Sequence, residues 1–379
     1  MKITVAKTAG FCFGVNRAVN IVNSLADTES KVCTLGPIIH NKEMVSELEH
    51  KGVFSVDDIE DAKDYDTVVI RSHGVPKSVY DKLAQMSCET VDATCPFVSK
   101  IHRIVKSASE NNKTVLIAGD KNHPEVMGIV GHCVNDCYTF KNIEELNNSL
   151  DIMLNKNIKD ICVVAQTTFD VSLWKICLKN IKKVYTNAEI FDTICNATSE
   201  RQAEADALSK SSDCMIIIGD KHSSNTCKLF SICKRNCDNT YLVETSSDLD
   251  MNVIAKAQSI GVTAGASTPA RIIKEVLDTM SEVIKSSETN DFENFEAMLE
   301  ESLKSLNTNE RVMGVVVGIA PNEVFVDVGR KQAGFIPLDE LSAAPINNPE
   351  DVVKIGDELE LLIMKTNDQE GTIMLSKRR

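Results

Sequence analysis

Short runs of consecutive apolar residues, most of them β-branched, recur along the first part of the chain. Continuous runs of this kind are typical of strands buried on both faces of a parallel sheet. Between them lie amphipathic stretches with helical spacing, such as 98–111 and 199–211. The alternation predicts an α/β fold with parallel sheets. The clearest apolar runs are 3–5, 67–70, 114–117, 161–164, 215–218 and 260–262.

The loops that follow these runs resemble one another. Two of them share Gly-Asp-Lys, at 119–121 and 219–221, and a third continues as Arg-Ser-His-Gly at 71–74. This layout indicates an internal repeat of roughly 100 residues. We expect three similar α/β units, roughly 1–96, 97–191 and 192–281, around a central cavity. Ligands of open α/β sheets bind at the carboxyl ends of strands, where these loops lie.

The pattern changes from about Ser281 onward. A polar stretch at 286–291 is followed by an acidic amphipathic stretch at 292–306, which predicts a linker helix within 282–309. Residues 310–379 then show short alternating segments separated by turn residues. These segments predict five strands and a small β-barrel of the OB type.

Composition narrows the class of protein. The 379 residues are 43% hydrophobic and 25% charged, as in ordinary globular proteins. The first residues do not resemble a signal peptide, and no apolar run approaches the roughly 18 residues of a membrane span, so we expect a cytoplasmic protein without membrane contact. The net charge of −14 repels nucleic acid and anionic membranes at long range. An anionic ligand must therefore be held by a local pocket of donors.

Cysteines are the most distinctive residue type. There are 13, an odd number in a long chain without a secretion signal, which favours free thiols or metal ligands over disulfides. Cys12, Cys95 and Cys195 each stand at a predicted strand-to-helix corner. Three isolated thiolates suit a 4Fe–4S cluster that leaves one iron without a protein ligand. Three buried core cysteines are the competing interpretation. The pairs Cys133/Cys137 and Cys233/Cys237 are read as core or incidental positions rather than a second metal site.

Polar loop residues suggest an anion site. His40, His73 and His123 follow predicted strands, and neutral or charged imidazoles can donate hydrogen bonds to a phosphate. Any one of them alone would be read as a solvated loop histidine. Glu125, beside His123, is a candidate proton donor, with an exposed surface carboxylate as the alternative.

Hydroxyl and amide groups extend the same pattern. Ser223, Ser224 and Asn225 are consecutive, and Thr167 ends another strand where it can orient a substrate hydroxyl. Ser267 precedes a proline at a predicted helix start, where the free N–H groups attract anions. Simple helix capping explains Ser267 equally well.

Together these motifs resemble the IspH/LytB family, the 4-hydroxy-3-methylbut-2-enyl diphosphate reductases. The resemblance runs from Met1 to about Asp278, and the order of the motifs along the chain makes it specific. The matching segments are 10–15, 35–41, 71–75, 92–96, 123–126, 166–168, Cys195, 223–225 and 264–269.

This resemblance implies a 4Fe–4S cluster held by Cys12, Cys95 and Cys195, with an open fourth iron for the substrate hydroxyl. It implies that Thr167 and Glu125 position that hydroxyl and deliver protons, while an external donor such as ferredoxin or flavodoxin supplies two electrons. The products are isopentenyl and dimethylallyl diphosphate. The residues implied to bind the diphosphate are His40, His73, His123, Ser223, Ser224, Asn225 and Ser267.

The tail is similar to the OB-fold repeat of ribosomal protein S1. Such barrels often bind RNA through exposed aromatic and basic residues. In this tail acids outnumber bases, Phe325 and Phe335 are the only aromatics, and Pro337 stands where RNA-binding repeats often carry His. Contact with RNA and contact with a protein, such as one at the ribosome, both remain open.

Two other functions are compatible with the motifs. A hydro-lyase could use an open-iron cluster to dehydrate a hydroxy acid, although few arginines are placed to bind a carboxylate. An iron sensor bound to RNA or the ribosome could report the state of its cluster through the tail.

Overall fold

The structure is a computed structural model of the chain. It describes residues 2–28, 30–284, 310–320, 323–328, 333–342, 348–354, 357–367 and 372–379. The chain forms two compact units, Met1–Thr289 and Asn290–Arg379, which are described separately. The predicted linker helix at 292–306 lies outside the described residues.

Strands and helices alternate along the first unit. The strands are β1 Lys2–Val5, β2 Val32–Leu35, β3 Phe54–Val56, β4 Thr67–Ile70, β5 Glu89–Asp92, β6 Thr114–Ala118, β7 Cys137–Phe140, β8 Ile161–Ala165, β9 Glu189–Ile190, β10 Cys214–Ile218, β11 Thr240–Val243 and β12 Ser259–Ala264. The helices are α1 Phe13–Ala26, α2 Lys42–His50, α3 Lys77–Leu83, α4 Pro96–Glu110, α5 Pro124–Val130, α6 Ile143–Asn155, α7 Val171–Val184, α8 Asn196–Lys210, α9 Ser224–Asn236, α10 Met251–Ile254 and α11 Ala270–Ile284. Two short 3-10 turns are Ile59–Asp64 and Ser246–Asp248.

These strands form three parallel sheets of four strands each. Their orders are β3-β2-β4-β5, β7-β6-β8-β9 and β1-β12-β10-β11. All six apolar runs of the sequence are strands, and β4, β8 and β10 are buried along their whole length. The α/β class with parallel sheets is confirmed.

The position of β1 corrects the predicted division into three consecutive units. Residues 2–5 pair with β12, at the far end of the α/β region, and not with the sheet formed by 32–92. Helix α1 nevertheless packs on that first sheet, because Ala18 and Val22 share a core with Val32 and Val69. The segment that carries Cys12 therefore runs from the third sheet to the first. The physical reason is that the edge of β12 accepts backbone hydrogen bonds from Lys2 and Ala6, through pairings that span over 250 residues.

Each sheet is covered by its helices on both faces. One core lies on one side of the second sheet, where Phe140, Phe169 and Trp174 pack edge to face with ring centroids 6.2–6.4 Å apart. Aromatic pairs of this geometry add about 0.5–1.5 kcal/mol each beyond the area they bury. These cores hold the strand ends rigid, and the polar loops project from those ends.

The second unit is a closed barrel of five strands. They are β13 Arg311–Ala320, β14 Glu323–Asp327, β15 Ala333–Pro337, β16 Glu358–Asn367 and β17 Thr372–Ser376, with α12 Leu338–Leu341 after β15. The order around the barrel is β13-β14-β15-β17-β16. Its interior is aliphatic, with Val324, Ile336, Ile363, Ile373 and Leu375 buried. The five predicted strands are confirmed.

No helix among the residues that the structure describes has the length and apolar character needed to cross a membrane.

Candidate active site

One cavity in the first unit collects the polar loops. It encloses about 730 Å³ that protein atoms do not fill, the open solvent at its mouth included. Every side chain that the sequence singled out as a site residue lines it. These residues are Cys12, His40, His73, Cys95, His123, Glu125, Thr167, Cys195, Ser223, Ser224, Asn225 and Ser267.

The three cysteines occupy equivalent positions. Cys12, Cys95 and Cys195 are the N-cap residues of α1, α4 and α8, so each sulfur lies at the positive end of a helix dipole. Each cysteine N–H also donates to a carbonyl of a loop that follows a strand. The acceptor carbonyls belong to Ala266, Ser72 and Thr167, at 3.2, 2.9 and 3.1 Å respectively. The cysteines meet because the same local geometry occurs three times.

The sulfurs lie close enough for a neighbouring thiol to change the pKa of Cys95 and of Cys195. Burial is the main cause that raises the pKa of Cys195 to about 12, and the Cys12 sulfur adds to it. Burial, Cys195 and Cys12 together raise the pKa of Cys95 further. Backbone N–H groups in the first turns of α4 and α8 oppose these shifts. Three sulfurs at helix N-termini in one cavity become stable as thiolates when a cationic centre binds them.

Gly14 allows two of the cysteine segments to approach. A Cβ at position 14 would lie 2.5 Å from Sγ of Cys95, far inside van der Waals contact. A side chain here would push Cys95 away from Cys12. The glycine is thus required by the close approach and not by its backbone angles.

The three histidines form a second cluster in the same cavity. The ring centroids of His40 and His73 are 4.6 Å apart, and His123 lies 5.5 Å from each. Burial lowers the pKa of all three, to about 4 for His123, and Arg71 contributes to each shift. The imidazoles are therefore neutral at pH 7, and each keeps one N–H to donate.

Hydrogen bonds identify which imidazole nitrogens face a ligand. Nδ1 of His123 accepts the N–H of Glu125 at 3.1 Å, so the neutral ring carries its proton on Nε2. Nε2 of His40 and Nδ1 of His73 are buried without a partner among the described residues. Unpartnered buried polar atoms are costly, and a ligand with strong acceptor atoms would satisfy them.

Hydroxyl groups connect the histidine loops to the third sheet. Ser72 Oγ donates to the carbonyl of Ile38 at 2.9 Å, and Ser267 Oγ donates to the carbonyl of His40 at 3.0 Å. Ser267 Oγ also lies 3.4 Å from Oγ of Ser223, the N-cap of α9. The loops are therefore held by side chain to backbone bonds that leave the imidazoles free.

The start of α9 has the features of an anion site. Ser224 accepts a 2.9 Å hydrogen bond from Thr168, and Asn225 is buried with both of its amide atoms unpartnered. The helix has 13 residues and presents its first N–H groups here. Apart from the histidines, Arg201 is the single basic side chain among the described residues that line the cavity.

Glu125 and Thr167 form a buried pair. The Thr167 N–H donates to Oε1 of Glu125 at 2.7 Å, and the Thr167 hydroxyl donates to Oε2 at 2.8 Å. Burial raises the pKa of Glu125 to about 7 despite these two bonds. A carboxyl group with this pKa exchanges a proton readily near neutral pH. The exposed-carboxylate interpretation of Glu125 is wrong, since the residue is only 2% exposed.

Sequence reasoning did not assign two arginines near the site, the half-buried Arg71 and the buried Arg201. Arg71 begins the loop that follows β4, and its guanidinium occupies the space that a Cβ at position 36 would need. Arg201 is 2% exposed and lines the cavity from α8. Arg71 is adjacent to the His73 motif, whereas Arg201 stands in a polar helix with no motif around it. The one sequence signal for Arg201 was its position as a basic residue on the face of α8 that is otherwise made of small and uncharged residues.

The remaining cysteine pairs and histidines lie elsewhere. Cys233 and Cys237 are buried in the core of the third sheet, while Cys133 and Cys137 pack against a core of the second. Cys133 lies beyond α5 and Cys137 begins β7, so this pair does not share a helix face. His102 stacks on His132 with centroids 4.1 Å apart, and burial lowers its pKa to about 3.

Comparisons with known proteins agree with this arrangement. A family profile described as LytB protein matches residues 3–281, and one described as S1 RNA binding domain matches residues 305–378. A protein of Clostridioides difficile named 4-hydroxy-3-methylbut-2-enyl diphosphate reductase is 41% identical over 278 residues, which cover 73% of this chain and 98% of that protein. A Clostridium acetobutylicum protein of the same name is 39% identical over 381 residues, 99% of this chain and 58% of the relative.

Some relatives are longer than this chain. It spans between 45% and 58% of the length of the Clostridium acetobutylicum, Fusobacterium nucleatum and Clostridium tetani proteins that it matches. What those whole proteins do is therefore not transferred to the chain by similarity alone.

Solved structures show the same α/β fold. A structure of (E)-4-hydroxy-3-methyl-but-2-enyl diphosphate reductase, 38% identical, covers 74% of this chain and 99% of its own with a TM-score of 0.55. The Plasmodium falciparum reductase structure, 24% identical, has a TM-score of 0.68 over 80% of this chain and 99% of its own. With the profile match over 279 consecutive positions, 3–281, these findings agree with the site geometry. The chain therefore belongs to the LytB protein family, and an S1-type barrel follows its α/β region.

Proposed function

We propose that the chain reduces (E)-4-hydroxy-3-methylbut-2-enyl diphosphate to isopentenyl diphosphate and dimethylallyl diphosphate. One observation carries the proposal. A single cavity contains three N-cap cysteines, three neutral histidines and a buried Glu125–Thr167 pair. This combination suits a reaction that needs electrons, an anion site and a proton source together. The similarity to proteins of that name supports it.

The donor set fits a 4Fe–4S cluster. We propose that Cys12, Cys95 and Cys195 hold it and leave the fourth iron without a protein ligand. The fit rests on the three thiols that line one cavity, with the pKa values of Cys95 and Cys195 raised by burial and by a neighbouring thiol, and on the helix N-termini behind them. When bound, such a cluster supplies electrons and a Lewis-acidic iron. An external protein such as ferredoxin or flavodoxin is the proposed source of these electrons.

The diphosphate of the substrate fits the opposite wall. His40, His73 and His123 would donate their N–H groups to phosphate oxygens, and Asn225 would use the amide left unpartnered. The N–H groups at the start of α9 add the helix dipole. Neutral donors suit a chain of net charge −14, because they bind the anion without a basic surface. The hydroxyls proposed for the same role are those of Ser223, Ser224 and Ser267.

Glu125 and Thr167 would serve the hydroxyl end of the substrate. The carbon–oxygen bond breaks with two electrons, and hydroxide is a poor leaving group. We propose that a proton held on Glu125 passes toward the departing oxygen, which leaves as water. The Thr167 hydroxyl, held by Glu125 at 2.8 Å, orients both groups. A second proton is added to carbon of the allylic anion, so two electrons and two protons are consumed for each water formed.

The lining of the cavity favours this substrate over a hydroxy acid. Recognition of carboxylates commonly uses paired arginine forks. Among the described lining residues only Arg201 is an arginine, and its fork is occupied by backbone carbonyls. A hydro-lyase acting on a hydroxy acid would therefore lack its carboxylate clamp.

For the barrel we propose contact with single-stranded RNA. Phe325 is 40% exposed and stands opposite Phe335 in the register of β14 and β15. Two neighbouring rings can stack on successive bases. The nearby acids Glu358 and Glu360 on β16 weaken electrostatic attraction, so stacking must supply most of the affinity. A protein partner on the same face is the outcome to expect if RNA does not bind, whereas RNA binding that changes with the state of the cluster would favour the sensor function.

Anaerobic purification tests the enzymatic proposal. Iron and sulfide are counted for the wild-type chain and for Cys95→Ser, and each is assayed with the hydroxylated diphosphate and a strong reductant. We expect close to four irons per chain and turnover for the wild type, by the chemistry of a 4Fe–4S cluster. Cys95→Ser should lose both.

Cys88→Ser is the matched control. Cys88 packs against the core of the first sheet and does not line the cavity. It should keep iron and activity. A Cys95→Ser protein with full iron content would contradict the cluster assignment, and an iron-loaded wild type without turnover would contradict the reaction.

A further inference from the structure

Arg201 is a fully buried cation next to the cysteines. It stands six residues after Cys195 on α8 and is 2% exposed. Its guanidinium donates to the carbonyl of Thr8 from Nε at 2.8 Å and from Nη2 at 2.5 Å, and Nη2 also reaches the carbonyl of Gly10 at 2.8 Å. A buried charge whose hydrogen bonds end on neutral carbonyls is costly unless negative charge lies nearby.

Glu204, on the next turn of the same helix, accepts hydrogen bonds from the same loop. Its Oε1 accepts the N–H of Lys7 at 2.7 Å, and its Oε2 accepts both the N–H and the hydroxyl of Thr8 at 2.9 and 2.6 Å. Helix α8 thus binds both the N–H groups and the carbonyl groups of one loop, residues 7–10. This loop leaves β1 and leads within a few residues to Cys12.

Helix α8 is a rigid support for this loop. It begins at Cys195, and Ala205 on it is buried in the core of the third sheet. The contacts described above therefore fix Cys12 relative to Cys195, although the two cysteines are 183 positions apart in the sequence. Elsewhere in the cavity the lining histidines are neutral, and Arg71, the cation that lowers their pKa values, is not among the lining residues that the structure describes.

We propose that Arg201 is a positioning residue that, together with Glu204, sets the place of Cys12 and provides the fixed positive charge of the iron–sulfur site. This inference rests on the proposed function. Three thiolates and each added electron bring negative charge into a buried region. A guanidinium held beside them stabilises that charge, so it favours binding and reduction of the cluster.

Three substitutions separate the effect of the charge from that of the hydrogen bonds to the loop. Arg201→Lys keeps the positive charge but cannot bridge two carbonyls with a planar fork. Arg201→Gln removes the charge. Glu204→Gln leaves Arg201 intact and weakens the hold on the N–H groups. Arg103→Gln is the control, because Arg103 is exposed on α4, the helix that begins after Cys95.

The measurements are made on anaerobically loaded full-length protein and do not depend on turnover. Iron content, the rate of iron loss to a ferrous chelator, and the midpoint potential from a dithionite titration followed by electron paramagnetic resonance are recorded. Substitutions behind metal ligands typically change affinity about 10- to 100-fold. We expect Arg201→Gln to disfavour one-electron reduction about tenfold, which equals about 59 mV toward lower potential.

The other variants have distinct expected results. Arg201→Lys should keep the wild-type potential but lose iron to the chelator faster, as should Glu204→Gln. Arg103→Gln should match the wild type in both measurements. If Arg201→Gln holds no iron, retention by Arg201→Lys still supports the role of the charge, and loss by both at equal rates overturns it.

Two results would overturn the inference directly. One is an Arg201→Gln protein with the potential and chelator resistance of Arg103→Gln. The other is a Glu204→Gln protein that holds iron as firmly as the wild type, which would mean that the Glu204 hydrogen bonds do not position Cys12. A wild-type protein that binds no cluster would instead reject the proposed function, so the two failures are distinguishable.

Discussion

Replacing Glu125 by glutamine changes charge with little change in shape. Glu125 accepts two hydrogen bonds from Thr167, and both can persist in the variant. The amide oxygen still accepts the Thr167 N–H, while the amide nitrogen donates to the Thr167 hydroxyl once its hydrogen rotates away. The substitution therefore isolates the cost of ionising a buried carboxyl group.

The structure sets the size and sign of this cost. Burial raises the pKa of Glu125 from 4.5 to about 7, so the folded state binds the proton more tightly than the unfolded state. The favourable contribution of the protonated form is complete below about pH 4.5 and is lost as the pH rises through 7. By linkage the penalty for wild type is about 2 kcal/mol at pH 6 and about 3 kcal/mol at pH 8.5.

Glu125→Gln should escape this penalty. We expect the free energy of unfolding of the variant, relative to wild type, to rise by about 1 kcal/mol between pH 6 and pH 8.5. Urea titrations of cluster-free protein under reductant, followed by circular dichroism, measure it. The lower pH is kept at 6 because the sequence pI is near 5.1. Glu144→Gln, an exposed acid in the first turn of α6, serves as control and should show no such trend.

The same variant should lose turnover while it gains stability. General acid catalysis contributes about 10²–10⁴-fold, so we expect at least a hundredfold loss of kcat in cluster-loaded Glu125→Gln. Wild-type kcat should fall as the pH rises above 7. A pH-independent stability difference between variant and wild type would mean that Glu125 is already ionised at neutral pH, and the proposed proton delivery would be refuted.

Three further substitutions test other parts of the site and the barrel. Gly14→Ala places a Cβ 2.5 Å from the Cys95 sulfur, so it should cost about 1–3 kcal/mol in unfolding experiments and lower the iron content measured after reconstitution. Asn225→Leu should raise KM for the diphosphate at least tenfold in steady-state assays with kcat less affected, since it removes buried donors that only the ligand satisfies. Phe325→Ala should weaken binding of a single-stranded oligoribonucleotide by about 1–3 kcal/mol in fluorescence anisotropy, whereas Phe54→Ala, an equally exposed ring in the first unit, should not.

Much of the fold follows from local patterns. The six apolar runs predict buried strands because a strand covered on both faces needs consecutive apolar side chains. The barrel strands are equally readable, since turns at regular spacing separate alternating segments. Short edge strands were not predicted: β3 lies at the edge of its sheet, and none of its three residues is fully buried. Local apolarity is weak wherever a strand has only one buried face.

The candidate site was predictable as a set of residues but not as an arrangement. Cysteines, histidines and hydroxyls at strand ends stand out because loops rarely need them for packing. Their equivalence as helix N-caps, each bonded to the carbonyl of a neighbouring loop, appears only in three dimensions. The raised pKa of Glu125 likewise depends on burial by residues distant in sequence.

The sequence alone determined the α/β class, the five barrel strands and the candidate residues of the site, because each can be recognised from residues near one another along the chain. Tertiary structure decided that β1 joins the third sheet, that Gly14 makes room for Cys95, and that Arg201 holds the Cys12 loop. Those contacts join segments separated by about 80 to 260 positions. Hydrophobic periodicity carries no information about such partners. A run of apolar residues shows that a segment is buried, but it does not show which other segment packs against it.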